Sequence, residues 1–118
     1  MSDNIVYSKS KAFALRIVNL GRFLHSEKHE YVISNQVVRS GGSIGANIAE
    51  AQFGATKAEF VHRMRIAVRE ANETKYWIEL LHDSSYIDSK VAESLINDCQ
   101  EIIYLLIRII KTSDSNGS

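Results

Sequence analysis

The sequence contains no proline, so nothing in it fixes a helix break, and long uninterrupted helices are open to it. Cys99 is the only cysteine, which excludes an intrachain disulfide and a thiolate metal cluster. Charge of one sign is also lacking: 14 basic and 14 acidic residues leave a formal net charge of zero. A dedicated nucleic-acid binder usually carries a basic excess, and this chain has none. The imbalance along it is slight, with five basic and three acidic groups in residues 1–31 and three against five in 84–118. The longest apolar stretch, Ile102 to Ile110, is broken by Arg108 and falls well short of the roughly 20 residues of a membrane helix. No run of signal-peptide character precedes it, and Asp3 lies near the start, so a cytoplasmic protein is expected.

What is present is ordinary globular material. Hydrophobic residues make up 45% and charged residues 24% of the 118, enough for one domain with one core. Phe13, Ile17, Leu20 and Leu24 recur at three- and four-residue steps, which predicts a helix over about 8–28 with Gly21 beside its inner face. A second helix is expected over 34–53. Ser34 is its N-cap, Ile33 and Val38 form a staple across its start, and Gly54 is its left-handed C-terminal residue. Thr56 and Glu59 have capping-box spacing and open a third helix over 56–83, with Phe60, Met64, Ala67, Ala71, Thr74 and Ile78 as inner stripe. Asp88 caps a fourth over 88–111, and the polar segment 112–118 is expected to be a disordered tail. Connections this short predict an all-α, antiparallel, up-down-up-down four-helix bundle.

Two of these helices carry more apolar or featureless surface than one small bundle needs. On the fourth, apolar side chains cover an arc of roughly 200°, where a surface helix needs little over 100°. Ile96, Ile103, Ile107 and Ile110 form the surplus edge. Between Val32 and Gly54 the only charged residues are Arg39 and Glu50. Ile33, Val37, Ile44 and Ile48 face one way, and Gly41, Gly42, Gly45, Ala46, Ala49 and Phe53 the other. Glycine within a helix costs about 1 kcal/mol relative to alanine. Three of them call for an offsetting close approach, either by a neighbouring helix of the same chain or by another subunit. Gly42, Ala46, Ala49, Phe53, Ile96, Ile103, Ile107 and Ile110 are therefore the candidate interface of a homo-oligomer.

Chemistry-bearing constellations are scarce, and no catalytic, cofactor or metal residues are assigned. Gly41-Gly42-Ser43-Ile44-Gly45 lacks the Gly-Lys-Ser/Thr ending and the preceding strand of a phosphate loop. His25 and His29 are four residues apart without an identifiable third ligand, and His62 and His82 stand alone. Cys99 lies within the apolar arc as a small hydrophobe. Arg39, Ser43, Asn47 and Glu50 share the polar edge of the second helix. Arg39 and Glu50 are about three turns apart, so each needs a partner elsewhere, with Arg63, Arg69, Glu70 and Glu73 the candidates. A structural network and a binding site both fit that pattern. Lys11 and Arg22 on the first helix, and Arg65 and Arg69 beside His62 and Tyr76 on the third, are the candidate phosphate-contacting residues. Glu73 shares the face of that arginine pair.

The stretch Asn35-Gln36-Val37-Val38-Arg39-Ser40-Gly41-Gly42-Ser43-Ile44-Gly45-Ala46-Asn47-Ile48-Ala49-Glu50-Ala51 resembles a family signature. The family is that of four-helix-bundle proteins from intervening sequences of bacterial 23S ribosomal RNA genes. Its pattern has a glutamine, an Arg-Ser or Arg-Ala pair, and Ser-Ile-x-x-Asn-Ile-Ala-Glu-Gly; only the last glycine differs, being Ala51 here. Glu59-Phe60, Ile66-Ala67 and the segment from Glu70 to Trp77 also fit. The resemblance implies a four-helix bundle assembling into ring-like homo-oligomers, often pentamers, with Arg39, Ser43, Asn47 and Glu50 as structural signature positions. A related branch, the accessory variability determinants of diversity-generating retroelements, binds nucleic acid and a reverse transcriptase through a basic surface, from which this neutral chain departs. The expected function is a non-enzymatic, homo-oligomeric binding module with RNA or an RNA-associated protein as partner. The alternative is a scaffold that binds protein alone. Neither a membrane nor a small-molecule substrate is indicated.

Overall fold

The computed structural model describes residues 2–115, with side chains placed for 4–114. Helix α1 spans Ser2–Lys28, α2 Val32–Ala51, α3 Lys57–Asp83 and α4 Ser89–Ser115, and no strand occurs among the described residues. The bundle is elongated, 49 × 22 × 19 Å. Each helix packs on the next and α1 closes against α4, the thinnest of the four seams; the diagonal pairs do not meet. Phe13, Ile17 and Leu24 of α1, Ile44 and Ile48 of α2, Met64, Ile78 and Leu81 of α3, and Ile102 and Leu106 of α4 are its largest fully buried side chains.

Helix ends depart from the expected ones in instructive ways. Helix α1 begins at Ser2 and α4 runs to Ser115, so residues 112–115 of the expected tail are helical, while 116–118 lie outside the described residues. Ser34 is not the cap of α2. It lies buried inside the helix, where its hydroxyl reaches the Gly21 carbonyl at 3.5 Å. Glu30 does the capping instead, its carboxylate accepting from the Ile33 and Ser34 amides at 3.0 and 2.8 Å. Gly54 is not left-handed either. Its use is proximity, since a Cβ there would lie 3.2 Å from the Phe60 nitrogen. The left-handed residues are His29, with φ 53°, and Ser85, with φ 69°. At the end of α3 the amides of Ser85 and Tyr86 return to His82 and Leu81 at 2.9 Å each, a glycine's usual task carried out by serine. Thr56 and Glu59 form the expected capping box, and the Asp88 carboxylate accepts from the Val91 amide at 2.8 Å.

The helical glycines divide. A Cβ on Gly41 would fall 2.9 Å from Ile17 Cγ2, and one on Gly45 3.6 Å from Ser10 Cβ. These two let α2 approach α1 within the same chain. A Cβ on Gly21 would meet Val38 at 2.6 Å, from the other side of the same seam. Gly42 is different: nothing lies within 4 Å of its added Cβ.

The surplus edge expected on α4 is mostly absent. Ile103 and Ile110 are 8% and 7% exposed and belong to the core, and Ile96 is half-buried, which leaves only Ile107 open at 39%. The wide apolar arc is used because α4 is flanked by both α3 and α1, and two neighbours cover more of a helix than one.

Candidate functional site

A polar seam joins α2 to α3. The Arg39 guanidinium pairs with Glu73 and, at 3.3 Å, with Glu70, while its Nε donates to Gln36 at 3.2 Å. Ser43 donates to the same Glu70 oxygen at 2.8 Å, and the Trp77 indole donates to Glu73 at 2.9 Å. Asn47 donates to the Ser43 carbonyl at 2.8 Å and accepts from Arg63 at 3.2 Å. Beneath them the buried Ser40 and Thr74 hydroxyls lie 2.8 Å apart. One oxygen of each glutamate accepts two donors, Glu70 from Arg39 and Ser43 and Glu73 from Arg39 and Trp77, so both carboxylates are engaged within the seam. Glu50 stands outside it. Its carboxylate has no hydrogen bond or ion pair among the described residues and lines a shallow cleft with Phe53, His62 and Arg63, contrary to the expectation that it finds a partner on another helix. Trp77 belongs to this network although it is not among the candidates named from the sequence; its spacing of four from Glu73 is the signal that points to it.

The outward face of α1 and α2 is smooth and partly apolar. Val18 and Arg22 line one side of a shallow cleft of about 670 Å³, and Val38 and Arg39 the other. Farther along it Leu15 is 62% exposed and Phe53 84%. Gly42 and Ala46 are exposed between them and Ala49 is half-buried. Lys11 and Arg22 are exposed on the same stripe of α1, eleven residues apart with Leu15 and Val18 between.

The four candidate phosphate contacts do not converge. Lys11 and Arg22 belong to α1 and Arg65 and Arg69 to α3, helices diagonal across the bundle. Arg65 pairs with Asp114 of α4 at 3.1 Å, both more than half exposed. Among the described residues the Arg22 guanidinium reaches only Asn19, at 3.4 Å. Arg69 is exposed without an ion pair among the described residues, on the outer stripe of α3 with His62 and Tyr76.

Cys99 is fully buried and its thiol donates to the Ala71 carbonyl at 3.2 Å. Burial pushes it up to about 12, with Lys75 opposing the rise and Asp98 adding to it. Such a thiol is neither a nucleophile nor a metal ligand at neutral pH. Among the described residues no group of three or more His, Cys, Asp or Glu side chains could hold a metal ion, and no helix is long and apolar enough to cross a membrane.

Residues 2–108 match the family model described as 23S rRNA-intervening sequence protein. The chain belongs to that family. A solved structure from Bacteroides thetaiotaomicron, a protein of unknown function from the S23 ribosomal protein family, is similar over 94% of this chain and 99% of its own. Its identity is 53% and the TM-score 0.93. No curated protein matches. Within the 23S rRNA-intervening sequence family the stretch that carried the resemblance, from Asn35 to Ala51, is thus α2, whose buried side packs on α1 and whose polar edge packs on α3.

Proposed function

We propose that this member of the 23S rRNA-intervening sequence family is a cytoplasmic, non-enzymatic homo-oligomer that serves as a binding module, with RNA as its partner. The observation that carries the reading is the outward α1–α2 face, where one chain leaves Leu15, Gly42, Ala46 and Phe53 uncovered. Apolar surface of that kind is normally covered by a second protein surface. The face keeps Gly42, Ala46, Ala49 and Phe53 of the candidate interface, whereas Ile103 and Ile110 drop out as core residues. A ring, with five copies as the favoured number, is part of the same reading. So is the up-down-up-down course of the helices. It is supported by contact order: Gly21, Ile17 and Ser10 meet residues near 38, 41 and 45 in turn, and Arg16 and Lys9 meet Asp98 and Glu101.

Assembly also bears on RNA. One chain separates Lys11 and Arg22 from Arg65 and Arg69, and a repeated array multiplies each weak patch. Arg69, exposed with Tyr76 at 54%, offers phosphate pairing beside an aromatic face. Light scattering on the full chain should report a multiple of 13.3 kDa, and Ala46→Asp with Phe53→Asp should reduce it while the far-UV helical signal persists. A monomer at micromolar concentration would sink the reading. Anisotropy of a labelled structured RNA should then rise at low salt, weaken steeply with added salt and weaken again in Arg65→Glu with Arg69→Glu. An intact oligomer that binds no RNA at low salt would leave a protein-only scaffold as the better account.

A further inference from the structure

The stripe that α3 turns outward has a composition of its own. Arg65, Arg69, Asn72 and Tyr76 follow one another at four-, three- and four-residue steps, the spacing of a single line along a helix. All four are exposed, and the line is about 16 Å long. It passes from cations on the N-terminal side, through an amide, to an aromatic ring. Arg69 has no ion pair among the described residues, whereas Arg65 shares its charge with Asp114 of α4. The carboxylates beside this stretch are engaged elsewhere: Glu73 is held by Arg39 of α2 and by the Trp77 indole, and Glu70 by Arg39 and Ser43. Glu79 and Asp83 stand beyond Tyr76, on the far side from the arginines. An anionic group is therefore favoured at the Arg69 end of the line and opposed past the ring.

The ring is also braced. Tyr76 lies edge-on to Trp77, with centroids 5.0 Å apart and planes at 69°. Trp77 is in turn anchored through Glu73 to Arg39. More than half of the Tyr76 side chain is open to solvent, so the α2–α3 seam ends in an aromatic surface held from behind. A merely solvated helix face calls for neither a braced ring nor an unpaired cation two turns away. A platform on which a base stacks beside its phosphate calls for both.

We propose that this stripe binds an unpaired stretch of RNA laid along α3, in preference to a duplex. The inference rests on the RNA reading above and names the form of RNA it takes. A phosphate pairs with Arg69, a neighbouring base stacks on Tyr76, and the Asn72 amide offers that base's edge a donor and an acceptor. Bases inside a duplex are stacked on one another and present no free face to the ring, whereas the loops of a structured RNA do. Anisotropy on the full chain tests this with a labelled, unstructured RNA strand, alone and annealed to its complement. The single strand is expected to bind about fivefold or more tighter than the duplex, and Tyr76→Ala to remove about that factor without changing the salt dependence. Tyr76→Phe keeps the ring and should keep the affinity. Arg69→Ala should lower the slope of log affinity against log salt by about 0.7, the share of one phosphate in a single strand. Both positions are exposed, so the circular dichroism spectrum should be unchanged in all three variants. A duplex bound as tightly as the single strand, or single-strand binding unaltered in Tyr76→Ala, overturns the unpaired strand and leaves the RNA reading standing. An unchanged slope in Arg69→Ala overturns the placement of the phosphate. Binding of neither RNA removes the RNA reading and this inference with it.

Discussion

Gly41 and Gly42 are adjacent in sequence and opposite in use. Alanine is favoured over glycine in a helix by about 1 kcal/mol, and at Gly42 nothing within 4 Å opposes the added methyl. Gly42→Ala should therefore raise the unfolding free energy of the dilute chain by about 0.5–1 kcal/mol. At Gly41 the methyl meets Ile17 at 2.9 Å, and overpacking of about 1–3 kcal/mol exceeds the helical gain, so Gly41→Ala should be destabilising. Urea unfolding of the pair checks both signs; a loss at Gly42 would mean that another surface already covers it. Cys99 makes a second prediction at this scale. Its folded pKa is raised from 9.0 to about 12, so the neutral thiol's contribution to stability is complete below pH 9 and is lost as pH rises through about 12, where the unfolded chain gains by ionising. The stability advantage of the parent over Cys99→Ala should shrink across that window, as chemical unfolding at stepped pH would read. A constant difference would mean that the thiol is not desolvated.

At the scale of the helix, Glu30 holds the start of α2. Two backbone amides depend on a carboxylate that is only 8% exposed. Glu30→Ala should cost about 1–2 kcal/mol, with Glu30→Gln retaining part of that, as judged by the urea midpoint at unchanged m-value. A midpoint unmoved in Glu30→Ala would assign the cap to something else. Ser34, the cap expected from residue type, illustrates where sequence reading fails. Serine at that position serves equally as a small residue beneath Gly21, and only the packing of α1 on α2 decides between the two uses. The capping box at Thr56, by contrast, needs nothing beyond four consecutive residues, and it was legible. So were the stripes of α1 and α3, because 3.6-residue periodicity is local. The breadth of the α4 arc was legible too, but not its meaning, since how many neighbours flank a helix is a property of the bundle.

For the whole molecule, the inward side is closely accounted for and the outward side is not. The α2–α3 seam pairs its own charges, and the core takes up Ile102, Ile103 and Ile110 of α4. What remains outward is the α1–α2 face and the outer stripe of α3, on different sides of one rod. Self-assembly through the first does not require the second, which is why the mass measurement and the RNA measurement are separable.

The Arg39 cluster has one more consequence. The inner face of α2 is built from Val37, Gly41, Ile44, Gly45 and Ile48, a surface nearly repeated from one turn to the next. Oily ribs of that regularity would fit almost as well after sliding a single turn, about 5.4 Å. Arg39 opposes that slide, for its two acidic partners lie three residues apart on α3, and a guanidinium displaced by a turn would keep at most one of them. The cluster thus works as a dowel between two planks, setting alignment rather than strength.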